Sequence, residues 1–395
     1  MTVLNDKRKA IISICAIAFL TLVSSATSPA LAVIGKNFPE ASAEAIASIA
    51  TLNTLTSVPF TILSGLVLGR KVKFRTATFI GLFFSLLGGI LPFFATTITQ
   101  ILVGRAILGI GSGISAPVIT CLVLSLFKGD DISKQFSRNS MATNVGAVIF
   151  QMLGGVLCNY NWKLPFAVYF LVIPVMIIAY FWLPEPKEAV STGLQNVKGF
   201  DLSHIITKHV MFWAIVHALY MLWFYAYVTQ TSGIIVNNGY GDSTVAAVVL
   251  SLFTLIGVLG GGMFHKIQKK IGVKAMTLGF VVNGLSFLAL TFADNIVVYT
   301  IFSLTFGFGY GLLQPAVNYF LGIGLDDNYR AASISVSTII SSLGSFGSSY
   351  AVKYSKILLH TTWERTPFAV GCVFFFLLGL LFVFIKTPKL KESEK

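Results

Sequence analysis

The chain is poor in charge. Of its 395 residues only 11% are charged, against 55% hydrophobic, and the mean hydropathy is +0.82, whereas a soluble globular chain averages about 25% charged residues. That shortage excludes an ordinary soluble domain. Cysteine is scarce as well: Cys15, Cys121, Cys158 and Cys372 lie far apart, each in or at the end of an apolar run, so no CxxC pair, zinc spacing or disulfide framework can be read. No metal is expected. Carboxylates are missing where they would be most telling, because all 15 fall in tails, loops or span ends and no helix centre holds one. Proton-coupled carriers commonly use an intramembrane acid that alternates between charged and neutral, so coupling, if it exists, must use a histidine, an end-of-helix acid or the solute itself. The five histidines, His204, His209, His217, His265 and His360, offer no HExxH and no facing pair. That leaves no basis for an intramembrane enzyme, and no cofactor is expected.

What the chain has in quantity is long apolar sequence. Runs able to cross a bilayer, at about 20 residues each, lie near 10–34, 44–68, 76–95, 98–127, 138–158, 164–183, 209–236, 243–264, 274–293, 295–323, 330–352 and 366–386. We number them spans 1 to 12. Lys7-Arg8-Lys9 followed by an apolar stretch and Ala30-Leu31-Ala32 imitates a secretory signal. The apolar run continues to Ile34, which suits a span better.

The net charge of +13 is a topological signal. With the N-terminus cytoplasmic, the clusters Arg70/Lys71/Lys73/Arg75, Lys128/Lys134/Arg138, Lys187/Lys198/Lys208, Lys266/Lys269/Lys270/Lys274 and Lys386/Lys389/Lys391/Lys395 all fall inside. The outer loops keep only Lys36, Lys163, Lys353, Lys356 and Arg365. By the positive-inside rule both termini are expected in the cytoplasm of a plasma-membrane protein, and no nucleic-acid surface remains to be explained.

The sequence repeats itself. Gly109-x-Gly111-x-Gly113-x3-Pro117 in span 4 recurs as Gly307-x-Gly309-x-Gly311-x3-Pro315 in span 10, at an offset of 198. Trp162 with Pro165-Phe166 is echoed by Trp363 with Pro367-Phe368, Gly65 by Gly262, Gly81 by Gly279, and Asp130-Asp131 by Asp326-Asp327. Between the copies, residues 184–208 open with Pro184-Glu185-Pro186 and mix Gly, Ser, Asn and charge, as a cytoplasmic linker does. The expected organisation is an all-α polytopic membrane protein with two parallel six-helix repeats, 1–183 and 209–395, joined by that linker. Such repeats build transporters whose two bundles rock about a central site.

Through these residues the chain resembles the major facilitator superfamily, most closely its drug:proton antiporter branch, over its whole length. Arg105-x3-Gly109-x-Gly111-x-Gly113 resembles the family's R-x3-G-x-G signature, and Gly65-Leu-Val-Leu-Gly69-Arg70-Lys71-Val72-Lys73 is similar to its loop signature G-x-x-x-D-R-x-G-R. The family's Asp is Gly69 here and Lys266 in the second half. Span 5 reads Phe150-Gln151-Met152-Leu153-Gly154-Gly155, which keeps the diglycine of the antiporter signature and lacks its Gly-Pro. The resemblance implies the major facilitator fold of twelve transmembrane helices. Gating and helix packing are then expected of Gly65, Arg70, Lys73, Gly109, Gly111, Gly113, Pro117, Gly154, Gly155, Gly307, Gly309, Gly311 and Pro315.

Few polar groups remain inside the spans. Arg105 lies about 10 Å into span 4 at 1.5 Å per residue. It has two readings: a cation bonding helix carbonyls to hold span 4, or a contact to an anionic or polar solute. His217, Tyr220, Phe224 and Tyr227 recur at helical spacing along span 7, as a stripe facing either the solute or lipid, with His217 the titratable member. Asn53 in span 2, Asn144 and Gln151 in span 5, and Tyr310, Gln314 and Asn318 in span 10 need partners, so they should face a cavity or another helix. The expected function is a monomeric secondary transporter that exports a small amphipathic or aromatic solute by alternating access, with a proton as candidate coupling ion. The alternative is an organic-anion carrier for carboxylate metabolites, using Arg105.

Overall fold

The computed structural model describes residues 2–68, 71–186, 206–323, 325 and 327–385, with side chains described outside 2–6 and 327–332. The expected linker therefore lies mostly outside the described residues, as do Gly69 and Arg70. Two compact units form, Met1–Lys198 and Gly199–Lys395. Among the described residues eleven helices are long and apolar enough to cross a membrane, and no strand is present.

In the first unit, span 1 is broken in the middle. Helix Thr2–Phe19 passes into a 3-10 segment, Leu20–Ala30, and resumes as Leu31–Asn37. The local sequence Ser24-Ser25-Ala26-Thr27-Ser28-Pro29 explains the change, since Pro29 cannot donate to the preceding turn and the hydroxyls compete for its carbonyls. Thr27 Oγ1 donates to Ser24 O at 2.9 Å. The other spans are Ala43–Val67, Phe74–Ile90 with a 3-10 extension to Phe94, Ile98–Leu126, Asp130–Tyr160, and a sixth assembled from Leu164–Ala167, Val168–Leu171 and Val172–Trp182. Span 5 begins eight residues before its apolar run, at Asp130, where two acids suit the positive end of a helix.

The second unit holds Lys208–Asn237, Ser243–Ile271, Lys274–Phe292, Ile296–Gly322, Asp327–Leu358 and Thr366–Phe384. Span 11, Asp327–Leu358, is long enough but stands outside the set of eleven apolar helices. Its serines lower its hydropathy: Ser333, Ser337, Ser341, Ser345 and Ser348 follow one another every three or four residues and are all buried.

The repeat seen in sequence is a repeat of helix contacts. Thr97 caps span 4 by accepting from Gln100 N, and Asn295, 198 residues on, caps span 10 by accepting from Val298 N. Span 4 is pressed between spans 2 and 3. A Cβ on Gly109 would lie 2.7 Å from Asn53 O, one on Gly113 would fall on Ser57 O, and one on Gly111 would lie 2.6 Å from Gly81 O. In the second unit a Cβ on Gly307 would lie 2.5 Å from Phe253 O, one on Gly311 would fall on Gly257 O, and one on Gly309 on Asn283 Oδ1. Alternate glycines thus serve opposite faces, which brings backbones together where any side chain would hold them apart. A second pair escapes a motif search: Cβ atoms on Gly146 and Gly344 would fall on Phe19 O and Ala218 O, setting span 5 on span 1 and span 11 on span 7. Gly154 is closed against Ala26 O in the same way. A Cβ on Gly262 would have nothing within 4 Å, so no close approach requires a glycine there.

Span 3 receives its cap from a distance. Its N-terminal neighbour Lys73 offers no side-chain cap, and the Glu185 carboxylate accepts from Phe74 N at 2.7 Å and Arg75 N at 2.9 Å. Two free N–H donors and the positive helix end are satisfied together. Glu185→Ala should destabilise the first unit by about 1 kcal/mol, seen as a lower thermal unfolding midpoint in detergent; an unchanged midpoint would count against the cap.

Candidate functional site

Arg105 is fully enclosed within the first unit. Its Nε donates to Ile49 O at 2.6 Å, one terminal nitrogen to Tyr169 Oη at 2.7 Å, and the other to Ser24 O at 3.4 Å and to Thr27 Oγ1. Spans 1, 2 and 6 are thereby tied to span 4. The guanidinium also lies 5.9 Å from the Phe166 ring centroid and 6.0 Å from that of Tyr169. Among the described residues no carboxylate pairs with it. Its charge is met by carbonyls, hydroxyls and ring faces, which compensate part of the hydration lost on burial.

Beside this hub a cavity of about 50 Å³ is lined by Thr21, Ser24, Asn53, Ser85, Ser112 and Ser115 among apolar neighbours that include Leu82, Leu108 and Ile119. The volume suits one or two water-sized groups. Asn53 Oδ1 and Ser115 Oγ are buried there without a protein partner. Asn144 is spent locally, its Nδ2 donating to Ser140 O at 2.7 Å. Gln151, Gly65 and Gly155 are buried, and Lys73 is exposed. Pro117 and Pro315 lie inside their helices.

The second unit carries a different chemistry. The span 7 stripe faces spans 8, 10 and 11 of its own bundle. His217 Nδ1 lies 3.1 Å from Ser337 Oγ, and its Nε2 is buried without a partner. The His217 ring stacks on Tyr220 with centroids 6.4 Å apart, and Tyr220 stacks on Tyr310 at 5.3 Å while donating its hydroxyl to Tyr310 O at 2.9 Å. Phe224 stacks on Tyr310 at 4.2 Å, and Phe253 packs 5.9 Å from Phe224 and 5.6 Å from Tyr310. Tyr227 lies deeper, against Phe253 at 5.1 Å and Phe306 at 4.9 Å. Phe224 and Tyr310 are only partly buried, and the Tyr220 and Tyr227 rings are fully enclosed. Gln314 and Asn318 continue along span 10, both partly buried, and Gln314 Oε1 has no partner.

The structure thus joins His217, Tyr220, Phe224 and Tyr310 in one cluster. Arg105 and Asn53 belong to the other unit. The sequence reading missed Thr27, Tyr169, Phe253 and Ser337. Phe253 stands against Gly307 as Asn53 stands against Gly109, so one repeated position of the fold holds an amide in one unit and a phenyl ring in the other; the glycine offset of 198 does not pair the two in sequence, where Asn53 falls opposite Ser251. Ile49 acts through its carbonyl, which leaves no mark in sequence.

Comparison with known proteins follows the same line. The family model described as Major Facilitator Superfamily matches residues 13–349. A bacillibactin exporter of Bacillus subtilis (strain 168) is 24% identical over 326 residues, covering 78% of this chain and 79% of the relative. The quinolone resistance protein NorA of Staphylococcus aureus (strain MRSA252) is 24% identical over 254 residues, covering 62% and 64%. Among solved structures, the nucleoside transporter NupG aligns with a TM-score of 0.77 at 13% identity, over 95% of this chain and 99% of that one. The POT family transporter PepTSo aligns at 0.74 and 12% identity, over 95% and 97%. At such identity these last two speak for the fold alone.

Proposed function

The chain belongs to the major facilitator superfamily, and on that premise we propose that it exports a small amphipathic or aromatic solute across the plasma membrane by alternating access. Members of this family carry small-molecule solutes, and the chain is a multi-pass membrane protein. The observation that carries the finer reading is the partly buried stack of Phe224 on Tyr310, backed by Tyr220 and Phe253. Flat faces of this kind bind planar or apolar bodies without demanding one hydrogen-bond pattern. Relatives described as a bacillibactin exporter and a quinolone resistance protein support the outward direction. The lysine distribution supports cytoplasmic termini.

His217 is the group best suited to carry a coupling proton, because it is the titratable member of the stack and holds one ring nitrogen in reserve. Arg105 fits a holding role better than solute contact, since its donors are engaged by the protein. This weighs against the anion-carrier alternative.

The test is uptake into inverted vesicles of purified protein under an imposed pH gradient, with bacillibactin and a quinolone as separate probes. Flux of at least one probe is expected, with Tyr310→Ala and Phe224→Ala each reducing it by about tenfold through loss of one aromatic contact. In His217→Ala the residual flux should no longer follow the gradient. Flux indifferent to both aromatic substitutions would sink the proposed site, and inward-only movement would sink the direction.

A further inference from the structure

Outside the transport residues, the cleft between spans 3 and 6 is the most distinctive surface of the first unit. It has a volume of about 420 Å³ and is lined by Lys73, Arg75, Thr76, Phe79, Tyr180 and Glu185. Its mouth is basic. The Arg75 guanidinium lies over the Tyr180 ring, 5.2 Å from the centroid, an arrangement that fixes the cation at the cleft. Among the described residues neither Lys73 nor Arg75 forms an ion pair. Glu185, the acid of the lining, already accepts from Phe74 N and Arg75 N at the start of span 3.

Behind the mouth the walls turn apolar. Phe79 meets Tyr180 edge-on, with centroids 6.0 Å apart. One turn further along each helix Phe83 and Ile177 are exposed, on the same faces as Phe79 and Tyr180 by their four- and three-residue spacing. Two cations and a hydroxyl thus stand at a helix end, above an aromatic and aliphatic track that runs along the lipid-facing side. Aromatic side chains with Lys and Arg beside them are the usual furniture of a membrane interface.

The geometry points to a binding site for an anionic phospholipid, with its phosphate on Lys73, Arg75 and Thr76 and an acyl chain laid along Phe79 and Tyr180 toward Phe83. A free phosphate would use the mouth and leave the track unused. The assignment needs this end of the bundle to lie at a membrane surface and is indifferent to which side, so it stands or falls apart from the proposed transport direction.

The experiment is native mass spectrometry of the full-length protein in detergent, with equimolar phosphatidylglycerol and phosphatidylcholine. The unmodified protein should retain phosphatidylglycerol over phosphatidylcholine, and the double variant Lys73→Gln/Arg75→Gln should lose about tenfold of that preference as two interfacial cations are removed. Lys269→Gln/Lys270→Gln, which removes two exposed lysines of span 8, should keep it, and Phe79→Ala should weaken it. A preference unchanged in the Lys73/Arg75 variant, or lost equally in the Lys269/Lys270 variant, overturns the site. Displacement of the lipid by millimolar inorganic phosphate, with Phe79→Ala without effect, would assign the mouth to free phosphate and overturn the lipid.

Discussion

Arg105→Ala should destabilise the N-terminal bundle by about 3–5 kcal/mol and sharply reduce the yield of folded protein. Removing the side chain takes the Arg105 donors away from Ile49 O, Ser24 O, Thr27 Oγ1 and Tyr169 Oη in an enclosed space, leaving Tyr169 Oη bare while Thr27 Oγ1 and Ser24 O keep the bond between them, and each buried polar group left without a partner costs about 1–3 kcal/mol. The range given assumes that some of these atoms find new partners, and it matches the cost of breaking a buried charged network. Arg105→Lys should recover only part of the loss. An ammonium keeps the charge but is a compact group on a flexible stem, and it cannot send donors to three different helices from one rigid plane. The measurement is the unfolding midpoint together with the monodisperse yield in detergent. A variant that folds as well as the parent but binds solute more weakly would return Arg105 to the solute site.

Gly311→Ala comes next in size, at about 1–3 kcal/mol for the overpacking of one methyl group, and Gly311→Val should be worse. The added Cβ has no flexible side chain to push aside, because what it meets is the carbonyl of Gly257. Gly113→Ala should behave alike in the other unit, where the obstacle is Ser57 O. Gly262→Ala is the control: with open space around it, the change should be neutral or slightly stabilising through helix propensity. Unfolding midpoints of the four variants, measured side by side, decide the matter. If Gly311→Ala proved as mild as Gly262→Ala, the close backbone seam would be wrong.

The fold was legible in sequence to an unusual degree because its determinants are compositional. Long apolar runs needed only length and hydropathy, and the glycines of spans 4 and 10 announced themselves by repeating at a fixed offset with the same two-residue alternation. Gly146 and Gly344 obey the same offset but stand alone, without neighbours to form a motif. The site was less legible. Arg105 stood out as an intramembrane cation, yet its partners come from three other helices and two of them are backbone carbonyls, which any residue supplies. The span 7 stripe had the right period, but whether it faced lipid or protein depends on what spans 8, 10 and 11 place opposite it. Tyr310 and Phe253 decide that question, and no local pattern ties them to span 7.

Span 11 has one further consequence, for how the protein is made. Its buried serines lie along the side that meets span 7, with His217 bonded to Ser337 and Gly344 closed on Ala218. On its own such a segment is a weak candidate for partition from the translocon into lipid, since each hydroxyl has to find an acceptor inside the hydrocarbon. By the time it is synthesised, span 7 is already available as a polar-tolerant partner, and the strongly apolar span 12 follows directly behind. Insertion of span 11 is therefore expected to depend on the helices made before and after it, so that truncating the chain ahead of span 12 should lower the fraction of span 11 that enters the bilayer.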